Sequence, residues 1–160
     1  MLLIRNGYMI DPKSGREGKY DILTDGERIV KIAENLEAPE RNCEIIDAEG
    51  LLVAPGLVDV HVHFREPGFP EKEDIFSGAR AAARGGFTTV VMMANTKPCI
   101  DNGNTLKYVL EKGRQTGIHV LSCANVTLGM KGTELTPMEE LAGHICQPNI
   151  SRVVRKDFQP

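Results

Sequence analysis

From Pro55 onward the chain repeats one unit three times, and that repeat limits the folds open to it. Each unit is a short, apolar, β-branched stretch followed by a stretch with helical spacing. The first joins a strand over Leu57–His63 to an alanine-rich helix over Asp74–Arg84, which Gly85-Gly86 stops. The second joins Thr88–Met93 to a helix over Asn104–Gln115, with Gly117 just beyond it. The third joins Ile118–Cys123 to a helix opened by Thr136-Pro137-Met138-Glu139, where an N-cap, a first-turn proline and a capping-box glutamate coincide. Strands alternating with helices in this way predict parallel βα units.

Parallel βα units close into a barrel or spread into a doubly wound sheet. The second arrangement usually binds phosphate at a glycine-rich turn after its first strand. Here that turn reads His63-Phe64-Arg65-Glu66-Pro67-Gly68, which favours the barrel. A whole barrel takes roughly 250 residues, and roughly 105 of the 160 follow Pro55. The expected class is therefore α/β, an incomplete (β/α)8 TIM-type barrel made of its first three βα units, with the chain read as truncated.

Residues 1–53 follow a different pattern and predict a small antiparallel β-sheet or sandwich domain ahead of the barrel units at 54–142. Leu2–Arg5 and Tyr8–Ile10 flank Asn6-Gly7, a two-residue hairpin signal. Tyr20–Thr24 and Arg28–Ala33 flank Asp25-Gly26-Glu27, a second hairpin, and Glu44–Asp47 and Leu51–Val53 add two more strands. Residues 37–42 read as a surface loop.

Chemistry concentrates at the end of the first predicted parallel strand, in Asp59-Val60-His61-Val62-His63-Phe64-Arg65. Side chains alternate across a strand, so His61 and His63 share a face. Two neutral imidazoles on one face can reach a single transition metal. Arg65 has the same parity and offers a planar fork of donors to an anion, while Asp59 is placed to orient one imidazole. A lone His-x-His is common on exposed strands. This one follows an apolar run that resembles a buried parallel strand, and its carboxyl end is where α/β folds place their chemistry.

Other functions find little support. A net charge of -3 gives no footprint for nucleic acid or an anionic membrane. No apolar run approaches the ~20 residues that span a bilayer, and Met1–Arg5 is too short for a secretory core. Cys43, Cys99, Cys123 and Cys146 are scattered, so a zinc knuckle or disulfide framework is not indicated and reduced thiols in the cytoplasm are expected. The Asn125-Val126-Thr127 and Asn149-Ile150-Ser151 triplets read as chance glycosylation patterns.

Three motifs in order, Asp59 to Gly68, Gly85-Gly86-Phe87-Thr88-Thr89-Val90 and Met93-Ala94-Asn95-Thr96-Lys97-Pro98, resemble the amino-terminal part of bacterial type I dihydroorotases, in the metal-dependent amidohydrolase superfamily. The likeness covers about residues 1–142, with Ala94 standing where the family usually has proline. It implies that His61 and His63 are zinc ligands and that His63, Arg65 and Asn95 lie at the substrate, Arg65 and Asn95 holding its carboxylate. The implied reaction interconverts N-carbamoyl-L-aspartate and (S)-dihydroorotate in pyrimidine synthesis. The general acid/base and remaining ligands are expected outside this chain, and none is assigned here. The resemblance also implies a homo-oligomer or an association with aspartate carbamoyltransferase.

Without the family, Asn95 reads equally well as a turn residue. Lys97 and Glu66 read as solvated loop charges, His119 as a packed or edge histidine, and His144 stands in no motif. Residues 143–160 do not follow the family pattern and read as a shifted reading frame or an unrelated tail, so Asp157 is not taken as a ligand. Two alternatives stay open: an allantoinase- or hydantoinase-type cyclic amidase, and a non-catalytic fragment acting as a partner.

Overall fold

The computed structural model describes residues 1–39 and 42–145, so the expected tail beyond residue 145 lies outside the described residues. The chain divides into two compact units, Met1–Pro55 and a second from Gly56 onward.

The first unit holds seven strands in two sheets: β1 (Leu2–Arg5), β2 (Tyr8–Asp11), β3 (Arg16–Lys19), β4 (Asp21–Asp25), β5 (Arg28–Ala33), β6 (Glu44–Asp47) and β7 (Leu52–Val53). One sheet has the order β5-β4-β1-β6 and the other β3-β2-β7. Both are mixed, which corrects the antiparallel expectation: β1 runs parallel to β6, and β2 parallel to β7. The hairpin at Gly26 forms as expected, between β4 and β5.

The Asn6-Gly7 hairpin does not form. Asn6 adopts a positive φ of 62° and its N–H donates to the buried Asp21 carboxylate at 2.9 Å, so the chain leaves one sheet and enters the other. A Cβ on Gly7 would stand 2.5 Å from Val53 Cγ2, and this close approach leaves no room for a side chain. Asp21 also accepts the Leu36 N–H at 2.8 Å. Strand β3, absent from the sequence reading, pairs with β2 after the Asp11–Gly15 turn.

The second unit is a βα repeat: β8 (Leu57–Val62), α1 (Ile75–Arg84), β9 (Phe87–Met92), α2 (Gly103–Gly113), β10 (His119–Ser122) and α3 (Met138–Ile145). Its sheet is parallel, in the order β10-β9-β8. Helix α1 begins one residue later than expected because Asp74 is its N-cap, accepting the Ser77 N–H at 2.8 Å in a capping box. Asn102 caps α2 in the same manner, accepting from Thr105 N–H. Gly85 and Gly86 end α1, the latter at a φ of 83°. At the third helix the Thr136 hydroxyl donates to the Asn125 carbonyl at 2.8 Å.

The core of this unit joins Ile75 and Ala79 of α1, Val90 and Met92 of β9, Leu106 and Val109 of α2, Val120 of β10 and Leu141 of α3. The expectation of a buried first strand is corrected. Leu57, Val58 and Val60 are 52%, 60% and 67% exposed, because β8 is an edge strand with β9 on one side only.

Candidate functional site

The three parallel strands end together. The Val62 carbonyl accepts the Met93 N–H at 2.9 Å, and the Met92 carbonyl accepts the Cys123 N–H at 2.8 Å. The residues following each strand therefore form one rim. His61 is the fifth residue of β8 and His63 is the first beyond it, both exposed.

The two rings stand 5.2 Å apart between centroids, at 67° to one another. A ring whose donor nitrogen lies about 2.0–2.1 Å from zinc has its centroid about 3.2 Å from the ion, so two such rings at a tetrahedral angle stand about 5.2 Å apart. The observed ring separation falls within the spacing open to two imidazoles on one zinc ion. Among the described residues no group of three or more His, Cys, Asp or Glu side chains gathers to hold a metal.

Asn95 lies on the next rim loop, and its Oδ1 is 3.0 Å from His63 Nδ1. An amide oxygen can only accept, so this contact is a hydrogen bond in the tautomer that carries its proton on Nδ1 and leaves Nε2 unprotonated. The outer Nδ2 of Asn95 keeps its own donors. Asp59 was expected to orient an imidazole; instead its Oδ1 accepts the backbone N–H of His61 at 3.0 Å. Its reach is spent on the turn of the strand. Arg65 is half-buried, and among the described residues its guanidinium makes no hydrogen bond or ion pair. Its carbonyl accepts the Phe69 N–H at 2.9 Å, which tightens the loop behind it.

The reading of Glu66 as a solvated charge is corrected. Glu66 is 6% exposed, and its carboxylate accepts from the Ile75 N–H at 3.1 Å, the Tyr108 hydroxyl at 2.6 Å and the Lys112 ammonium. Burial pushes this carboxyl upward, but the bonds from Lys112, Tyr108 and Ile75 outweigh it and hold the group below the usual glutamate range. The sequence did contain a signal: Tyr108 and Lys112 are four residues apart and share a face of α2. Lys97 is exposed, and its N–H donates to the Pro67 carbonyl at 2.8 Å. A Cβ on Gly68, whose φ is 110°, would lie 2.4 Å from the Lys97 carbonyl oxygen, so the two rim loops touch there. His119 is exposed on the edge strand β10, and His144 is exposed beside Glu140 at 4.0 Å; neither joins the rim pair.

The dihydro-orotase-like family profile matches residues 50–146. A dihydroorotase of Clostridium acetobutylicum is 54% identical over 141 residues, which is 88% of this chain and 33% of that protein. One from Streptococcus thermophilus is 55% identical over the same shares. The chain thus spans about a third of the length of the curated relatives it matches. Among solved structures, a dihydropyrimidinase from Brevibacillus agri superposes with a TM-score of 0.67 at 27% identity, covering 93% of this chain and 31% of that one.

Proposed function

The chain belongs to the dihydro-orotase-like family, and we propose that it supplies the metal-binding and carboxylate-binding rim of an enzyme that interconverts N-carbamoyl-L-aspartate and (S)-dihydroorotate. In this reading β8, β9 and β10 are the first strands of a (β/α)8 barrel, and the two sheets of the first unit form its accompanying sandwich. The work is a step of pyrimidine synthesis on a small substrate, in the cytoplasm, by a homo-oligomer or beside aspartate carbamoyltransferase. No helix among the described residues is long and apolar enough to cross a membrane.

The observation that carries the reading is the bond between His63 and Asn95, because it joins the metal side of the rim to the anion side. His61 and His63 would hold zinc through two imidazole nitrogens. Asn95 fixes the His63 ring with its oxygen and turns its amide donors toward a substrate carboxylate. Arg65 adds a two-pronged guanidinium that no other side chain among the described residues neutralises. Bound zinc would lower the pKa of its water and polarise the ring amide carbonyl. Proton transfer needs a carboxylate from beyond these residues.

The likeness to a dihydropyrimidinase keeps a second reading, a hydantoinase-type cyclic amidase. Such substrates lack the carboxylate that Arg65 and Asn95 would grip. The matched 141-residue stretch joined to the remaining two-thirds of the Clostridium acetobutylicum dihydroorotase makes a chimaera in which both can be assayed. Turnover of dihydroorotate far above that of hydantoin or allantoin is expected. Preference for either of the latter would remove the assignment.

A further inference from the structure

We infer that Glu66 is a positioning residue for substrate binding, one that aims Arg65 by anchoring the loop behind it in the body of the protein. This rests on the proposed role of Arg65 and goes beyond it, since Glu66 touches neither metal nor substrate.

Burial alternates along this loop. Phe64 and Glu66 are both buried, and Arg65 between them is not. Phe64 seats against α1 where Gly78 has no side chain: a Cβ there would lie 2.3 Å from Phe64 Cε1. Glu66 reaches two helices at once, taking the Ile75 N–H at the start of α1 and the Tyr108 hydroxyl and Lys112 ammonium from α2. The start of α1 suits a carboxylate, because its free N–H groups and dipole favour negative charge.

Arg65 is thus bracketed by two inward anchors, its own side chain half-buried between them. The backbone is held as well. Arg65 O accepts from Phe69 N–H, and Pro67 O accepts from Lys97 N–H on the loop that carries Asn95. A buried carboxylate stripped of such partners becomes costly, so an anchor of this kind does not slide. A loop fixed at residues 64, 66 and 67 restricts the guanidinium before substrate arrives, and preorganisation of this sort appears as affinity.

A residue that only stabilised the fold would lower melting temperature and the yield of active protein, leaving KM alone. A residue that aims Arg65 should change KM with kcat and zinc content nearly intact. In the chimaera, Glu66→Gln is expected to raise KM for dihydroorotate about tenfold, with kcat within about twofold. In the 160-residue chain, the same substitution should speed amide exchange at Phe69 and Lys97 while leaving Val109 and Val120 unchanged.

Lys112→Met keeps the carboxylate and two of its bonds. It should show a smaller shift of the same kind, and it serves if Glu66→Gln fails to fold. An unchanged KM, a loss of zinc, or a uniform rise in exchange across the second unit would overturn the inference. A parent chimaera without dihydroorotate turnover would instead overturn the proposed function, and the exchange pattern would still decide the role of Glu66.

Discussion

His63 faces Asn95 through Nδ1, and in the proposed function its other ring nitrogen would meet the metal. In the chimaera, His61→Ala should abolish bound zinc, whereas His119→Ala, on the edge strand β10 and outside the rim pair, should leave it intact. Equal zinc in the wild type and His61→Ala forms would sink the metal assignment. Arg65→Met should spare the metal and weaken substrate binding by about 1.5–3 kcal/mol, the range for a hydrogen bond to a charged group. Isothermal titration with a carboxylated inhibitor would measure it, and an unchanged affinity would exclude Arg65 from the anion side. Glu66 also sets a pH dependence. Its folded carboxyl lies below the usual range, so its contribution is complete above about pH 4.3 and is lost as pH falls through the lower folded value. Lys112 is raised, first by its bond to Glu66, so its share is complete below about pH 10.4 and is lost as pH rises through the higher folded value. Thermal melts should therefore show a plateau between these limits, and Glu66→Gln should flatten its acid edge. An acid edge identical in the variant would contradict this.

Among the elements, the βα repeat was legible in the sequence because it is written locally. β-branched runs, alanine-rich helical spacing and a double glycine at 85–86 each act within a few residues. Asp74→Ala should lower the stability of the second unit by about 1 kcal/mol, measurable as a fall in melting temperature, and a neutral outcome would mean that α1 does not depend on its cap. The sheets of the first unit were less legible. Asn6-Gly7 carries a hairpin signal, but the parallel partner of β1 arrives only at Glu44, and the buried Asp21 claims the Asn6 N–H first. Tertiary pairing overrode turn propensity there, and nothing near Asn6 announces it. The candidate site divides in the same way. His61, His63 and Arg65 follow from one short motif, whereas the anchor at Glu66 depends on Tyr108 and Lys112, more than forty residues on. A charged residue after a strand looks solvated until its distant partners are known.

For the molecule as a whole, the edge strand β8 leaves apolar side chains at Leu57, Val58 and Val60 in solvent. An uncovered apolar edge strand recruits another chain. The isolated 160-residue chain should therefore self-associate in sedimentation experiments, and Val60→Lys should weaken that association. A wild-type chain that stays monomeric at high concentration would show the edge to be protected. The buried ion pair has a separate consequence, in chemical reactivity. Lys112 spends its ammonium protons on Glu66 and Tyr108, and the Glu66 carboxylate raises its pKa, so it presents less free amine to an acylating reagent than an unpaired lysine. Lys97 is exposed, and Lys107 meets Glu111 only across 3.7 Å in an exposed pair. Gentle acetylation should mark those two and pass over Lys112, and a label appearing on Lys112 would report, residue by residue in a mass spectrum, that the loop behind Arg65 has come loose.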